Sequence, residues 1–257
     1  METTTTFPIR KVQQLRRRAQ EASKLLDTAP EGWSKSDTDP NRLLSVFSSL
    51  HLKSGFTLRA YQFRDGGNGN GIVWAAPEDL PFPDPKQYQK SDLPLPLLSP
   101  YQLDRSGFGL LHPPRPPGAL DDVMEAIEGD GTPWSYLSAS LLSREISEFG
   151  AMWHGCRWST HVILGSDPWT SQRRSSKTDF RNCPSPEPEH WQWIEPKPLE
   201  WKPTVCESDR LVTVAFYTFS ALGRERIYRH VDTYPKGRYR CACDTKVIAE
   251  GGAGYVF

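Results

Sequence analysis

Apolar residues recur at helical spacing in KVQQLRRRAQEASKLL. Val12, Leu15, Ala19, Ala22 and Leu26 fall on one stripe, and Arg16, Arg17 and Lys24 lie off it. The pattern predicts a helix over 11–26, ended by Pro30 and Gly32. A short helix is predicted over 40–50, where Asp39 can cap and Pro40 can take the first helical position. Between 55 and 76 the period changes. Phe56 to Phe63 is rich in aromatic residues, the run DGGNGNG follows, and Ile72 to Ala75 returns, which is the pattern of a hairpin. Residues 119–129, with Asp121, Asp122, Glu125 and Glu128, suggest a short acidic helix. Thr132 as cap and Pro133 in the first turn then open a long helix over about 133–153. Thr160–Leu164, Leu211–Ser220, Ile227–Tyr234, Tyr239–Asp244 and Gly254–Phe257 read as strands. Leu211–Phe219 is apolar on both faces and is expected in the middle of a sheet.

Proline interrupts this pattern twice. Nearly half of the 23 prolines fall between Pro77 and Pro117, which excludes helix or central strand there. The same stretch contains Phe82, Tyr88, Leu93, Leu95, Leu97, Leu98 and Tyr101, so an ordered covering arm is expected rather than a spacer. The expected fold is therefore α+β, with a flexible N-terminus over 1–10 and a single domain over 11–257. A mainly antiparallel sheet is packed by the long helix at about 133–153 and covered by proline-rich arms at about 77–118 and 184–203.

Composition narrows the functional classes only a little. With 257 residues the chain can bury a core without disulfide or metal staples. Lys plus Arg and Asp plus Glu are equal at 31 each, so no global field favours nucleic acid or an anionic membrane, and any such binding requires a local patch. Five unevenly spaced cysteines argue against a disulfide framework. No stretch approaches the ~20 apolar residues of a membrane span and no signal-peptide core is visible. A soluble cytoplasmic protein without membrane association, cofactor or metal is the expectation.

Candidate chemistry lies in five places. The run G-G-N-G-N-G leads into Ile72-Val73-Trp74 and then Pro77. A phosphate-binding loop requires a helix at that point, so the run reads as a hairpin turn whose Asn68 and Asn70 remain candidates for ligand contact. Glu145 falls in the middle of the apolar face of the helix formed by Trp134, Leu137, Leu141, Leu142, Ile146, Phe149, Met152 and Trp153. A carboxylate there is either tied to an arginine such as Arg59, Arg157 or Arg229 or held as a general acid or base. WHGCRWSTH, residues 153–161, brings His154, Cys156 and His161 close in sequence. Their spacing, even with Cys183 or His190, matches no standard zinc pattern. Cys241 and Cys243 are two ligands short of a metal site and read as buried thiols. The richest stretch is GRERIYRHVDTYPKGRYR, residues 223–240. Arg224, Arg226, Tyr228, His230, Asp232 and Tyr234 alternate onto one strand face, opposite Ile227 and Val231.

Guanidinium groups interleaved with rings suit phosphates and stacked bases. The leading expectation is thus a binding protein for an anionic ligand, a nucleotide or nucleic acid. Arg224, Arg226, Tyr228, Arg229, Arg238 and Arg240 would form its surface, with Asn68 and Asn70 from the glycine loop. A second reading is an enzyme pairing buried Glu145 with His154, His161 or His230 as acid and base. A third is an adaptor that meets a protein partner through HPPRPPG at 112–118 or the Trp/Pro segment 191–201.

Overall fold

The computed structural model describes residues 2–24, 31–65, 67–85, 114–169, 184–185 and 191–256. Within these, the chain is α+β and mostly sheet. It divides into two compact units. The first comprises Met1–Arg17, Gly129–Leu141 and Arg157–Phe257, and the second Arg18–Glu128 and Leu142–Cys156. Two of the four boundaries fall inside helices, α1 (Ile9–Ala22) and α3 (Pro133–Ser147). No helix among the described residues is long and apolar enough to cross a membrane.

The first unit is built on one antiparallel sheet. Its strands are β1 (Thr3–Thr6), β7 (Val162–Leu164), β8 (Gln192–Trp193), β9 (Thr204–Glu207), β10 (Leu211–Ser220), β11 (Arg224–Pro235) and β12 (Ala242–Ala253). The order is β1-β9-β10-β11-β12-β8, with β7 also paired to β10. β10 is central, as its apolar run predicted. Its alternation survives, however: Val212, Val214, Phe216 and Thr218 are buried while Thr213, Ala215 and Tyr217 are only partly so. The register Phe216↔His230, Val214↔Asp232 and Val212↔Tyr234 continues that buried face onto β11. The opposite face carries Phe219, Ala221, Ile227, Ile248 and Ala249, covered by Leu164, Trp191 and Trp201. The described part of the 184–203 arm is thus a lid of tryptophans. Ser185 fixes it by donating its amide to Glu225 Oε1 at 2.9 Å and its hydroxyl to Oε2.

The second unit holds the sheet β2-β4-β5, formed by Gly32–Lys35, Phe56–Asp65 and Asn68–Pro77, and the pair β3 (Leu50–Leu52) and β6 (Ile127–Gly129). β4 and β5 form the expected hairpin, in register from Phe56↔Pro77 to Asp65↔Asn68, so the glycine run is its turn and returning strand. Helix α2 (Pro40–Ser45) is capped by Asp39, which accepts from the Asn41 amide at 2.9 Å. Asn41 then bonds both backbone groups of Leu58 at 3.0 Å, fastening α2 to β4. The two described ends of the first proline-rich stretch also pack here. Tyr61 donates to the Pro83 carbonyl at 2.8 Å, and Trp74 Nε1 to that of Pro114 at 3.0 Å. Residues 86–113 lie outside the described set.

Four expectations need correction. The N-terminal residues are structured: Thr3–Thr6 pair with Thr204–Glu207 in register. Threonine is a good strand former, and an edge partner was available that only the tertiary fold reveals. Residues 119–129 form a 3₁₀ turn, Val123–Ala126, and then β6. Asp122 caps this turn through the Met124 amide at 2.9 Å, but Ile127 passes straight into strand pairing. Helix α3 is shorter than 133–153, ending at Ser147, with Gly150 turning the chain at φ 66°. It is also not one-sided, because every residue from Ser135 to Leu142 is buried. Serines make this tolerable: Ser135 bonds the Tyr239 hydroxyl at 2.7 Å and Ser140 that of Tyr234 at 2.8 Å.

Candidate functional site

The buried face shared by β10 and β11 carries an uninterrupted polar thread. His161 sits just before β7, whose pairing with β10 sets Val162 opposite Phe219 and brings the His161 ring to Thr218. His161 Nδ1 lies 2.8 Å from Thr218 Oγ1, and the same hydroxyl lies 2.8 Å from His230 Nε2. His230 Nδ1 continues to Thr245 Oγ1 at 3.0 Å. Thr218 is 0% exposed and His230 2%, whereas His161 is half-buried and Thr245 exposed.

Rings enclose this thread. Phe216 stacks on His230 at 4.7 Å, Tyr228 lies 4.7 Å from His161, and Trp158 meets both histidines at 5.4 and 5.8 Å. Arg16 of α1 fixes the floor. Its guanidinium lies 4.3 Å from the Trp158 ring and donates to the carbonyls of Trp158 and His161. The arrangement has a chemical consequence. A hydroxyl between two neutral imidazoles donates to one and accepts from the other, so the thread has two proton patterns. Interchanging them carries a proton from one end to the other without leaving a charge inside.

The sequence-predicted residues distribute as follows. His161 and His230 come together. Glu145 is buried, 3% exposed, and belongs with exposed His154 to the second unit. The His154 amide donates to Asn68 Oδ1 at 3.4 Å, and the Asn70 amide oxygen is buried in β5. The predicted face of β11 is real, but its second half is interior: His230, Asp232 and Tyr234 are 2%, 0% and 0% exposed. Three of the arginines reach carboxylates of their own chain. Arg226 Nε is 2.8 Å from Glu250, Arg224 3.4 Å from the same group, and Arg229 2.9 Å from Glu195. Arg238 and Arg240 are exposed in the turn after β11, beside exposed Lys236.

The adaptor segments pack on their own chain where they are described. Arg115 pairs with Asp121 at 2.6 Å and lies over the Trp74 ring at 5.2 Å, while Trp191 and Trp201 are buried in the sheet cluster. Beside the second arm lies an open cleft of about 580 Å³ between Gly165–Asp167 and Lys197–Lys202. The Lys197 ammonium stands in it 2.8 Å from Asp167.

Sequence reasoning missed Thr218 and Trp158, and it placed the cysteine pair wrongly. Thr218 had a signal, since it continues the buried alternation Val212, Val214, Phe216 with a hydroxyl. Cys241 and Cys243 are not buried: Cys241 is partly accessible and Cys243 exposed. Among the described residues, the metal-type donors that converge are these two sulfurs and Asp232. The zinc set weighed for His154, Cys156 and His161 does not converge, and Cys183 and His190 lie outside the described residues. No protein-family profile, curated protein or solved structure matches this chain, so its function has to be argued from its own residues.

Proposed function

We propose that the protein is an acid–base enzyme whose working groups are His161 and His230, joined by the Thr218 hydroxyl. The observation that supports this is the continuous hydrogen-bonded path from half-buried His161 to exposed Thr245. His161 is the member that a substrate would reach, with Tyr228 as the neighbouring aromatic wall. His230 takes up or returns the proton behind it, and Thr245 connects the relay to solvent. Glu145, in the second unit, has no part in this reading. The two imidazole rings are 6.0 Å apart. At that distance two positive charges repel by roughly 3 kcal/mol at an effective dielectric of about 20, so protonation of one ring opposes that of the other. One proton shared by the pair is the state that general acid–base work requires.

Nuclear magnetic resonance titration of the histidine ring protons tests this. His161 and His230 should titrate as one coupled pair with a broad two-step curve, and Thr218→Val, which breaks the path but leaves the rings 6.0 Å apart, should lower turnover without removing that coupling. Turnover, sought across ester, phosphoester and enolisable substrates, should fall at least about a hundredfold in His161→Gln. Two independent single-site titrations in the unaltered protein would refute the proposal.

A second reading, binding of a nucleotide or nucleic acid, is favoured by one observation: Lys236, Arg238 and Arg240 are all exposed in one turn. Arg224, Arg226 and Arg229 contribute less to it, because an anion would have to displace Glu250 or Glu195. Oligonucleotide binding that weakens with salt and with Arg238→Ala, but not with Arg224→Ala, is its expected signature.

A further inference from the structure

The start of β12 assembles a different kind of chemistry. Asp232 of β11 and Cys243 of β12 are opposed in register. Cys241 lies two residues earlier, before the strand begins. One carboxylate oxygen and the two sulfurs lie within 4.8 Å of one another. The sulfurs are 2.9 Å apart, closer than unlinked sulfurs ordinarily rest and longer than the ~2.05 Å of a disulfide. Burial is graded across the group: Asp232 is fully buried, Cys241 partly so and Cys243 exposed. The Tyr234 hydroxyl closes the inner side, held by Ser140 at 2.8 Å and lying against Cys241. Burial, and then the neighbouring Cys241 and Asp232, push this phenol well above its ordinary range, so it stays neutral.

We propose that Asp232, Cys241 and Cys243 form a binding site for a thiophilic divalent cation of the zinc class. Tetrahedral ligands at about 2.3 Å for sulfur and 2.0–2.2 Å for oxygen stand roughly 3.6–3.8 Å apart around one ion, and the three donors here all lie within 4.8 Å of one another. The sulfurs open to roughly 3.7 Å as the ion enters between them, a movement left to the exposed Cys243 side chain. Binding replaces two S–H bonds by two metal–sulfur bonds and releases two protons to solvent, and Asp232 adds a carboxylate oxygen. The fourth tetrahedral position remains open, and two thiolates select against magnesium and calcium.

The alternative use of the pair is a disulfide, made when an oxidant removes two electrons and both protons. The carboxylate decides between them. A disulfide would engage only the two sulfurs, whereas a cation takes all three converging donors.

The test is titration of the full-length, reduced chain with Co²⁺ under anaerobic conditions. A near-ultraviolet sulfur-to-cobalt band should saturate at one equivalent, with two protons released, and Zn²⁺ should abolish it by displacement. Cys243→Ser, at an exposed position, should weaken binding about a hundredfold or more, Cys243→His should restore it, and Cys206→Ser should leave it unchanged. The proposal is overturned by absence of the band, by a band that survives Cys243→Ser, or by a Cys241–Cys243 disulfide in protein alkylated before reduction.

Discussion

Gly71 offers a sharp test of what the glycine run is for. Its amide donates to the Phe149 carbonyl at 2.7 Å, and a Cβ built there would lie 2.6 Å from that oxygen and 2.8 Å from the Phe149 ring. Gly71→Ala therefore places a methyl group roughly 0.8 Å inside normal contact. Overpacking costs about 1–3 kcal/mol, and losing the hydrogen bond adds about 1. Reduced freedom of the unfolded chain returns about 0.5. The expected loss is about 1.5–3.5 kcal/mol, or roughly 3–14 °C in Tm for a chain of this size.

Gly67 at the hairpin tip is the contrasting case. Its φ is 92° but nothing lies within 4 Å of an added Cβ, so Gly67→Ala should cost only about 1 kcal/mol of backbone strain. Thermal unfolding followed by circular dichroism reads both. If Gly67→Ala proves the more damaging, the glycines serve the turn and the close approach of residue 149 is not what selects Gly71.

Three further perturbations have defined outcomes. Tyr239→Phe removes the hydroxyl that takes the Gly131 amide at 2.9 Å and bonds Ser135 at 2.7 Å, and should cost about 1–3 kcal/mol in urea unfolding; an unchanged midpoint would contradict this. Trp201→Ala empties a 4% exposed position in the tryptophan-covered face and should cost about 3–5 kcal/mol, with loss of the 5.3 Å ring contact to Tyr217. In alkali, Tyr217, Tyr234 and Tyr239 all have pKa values raised, chiefly by burial. A raised folded value means that stability is complete below the unfolded value of about 10 and declines as pH rises above it. Tyrosinate absorbance from fully buried Tyr234 should therefore appear only together with unfolding, while Tyr217 and Tyr239 ionise above the ordinary range, and ionisation of Tyr234 in an intact fold would refute the assignment.

Local patterns were legible in the sequence, and distant pairings were not. The Asp39-Pro40 and Thr132-Pro133 caps, the 56–77 hairpin and the central place of Leu211–Ser220 each rest on residues adjacent in the chain. The alternation Arg226, Tyr228, His230, Asp232 and Tyr234 also identified a true strand face. What periodicity cannot tell is which face of a strand is covered. Trp158 and Phe216 cover His230, which turns a supposed binding surface into an interior hydrogen-bonded chain. The union of His161 with His230, 69 residues apart, and of Asp232 with Cys243, 11 apart, depends on strand registers. Neither has a local signature. Nor does the pattern tell that the helix is covered all round, with Ser135, Ser138 and Ser140 each 0% exposed.

The pairing of Thr3 with Glu207 also sets a schedule for synthesis. The N-terminal strand leaves the ribosome first, yet its partner is made about 200 residues later, roughly 10–40 s at ordinary elongation rates. During that interval Phe7, Val12 and Leu15, all buried in the finished fold, have no sheet to cover them. Closing so long a loop adds little to the equilibrium cost, since that term grows only logarithmically, but it delays the edge strand. Residues 3–6 are thus made early and secured late, and a nascent chain halted before residue 204 lacks the strand on which β1 docks.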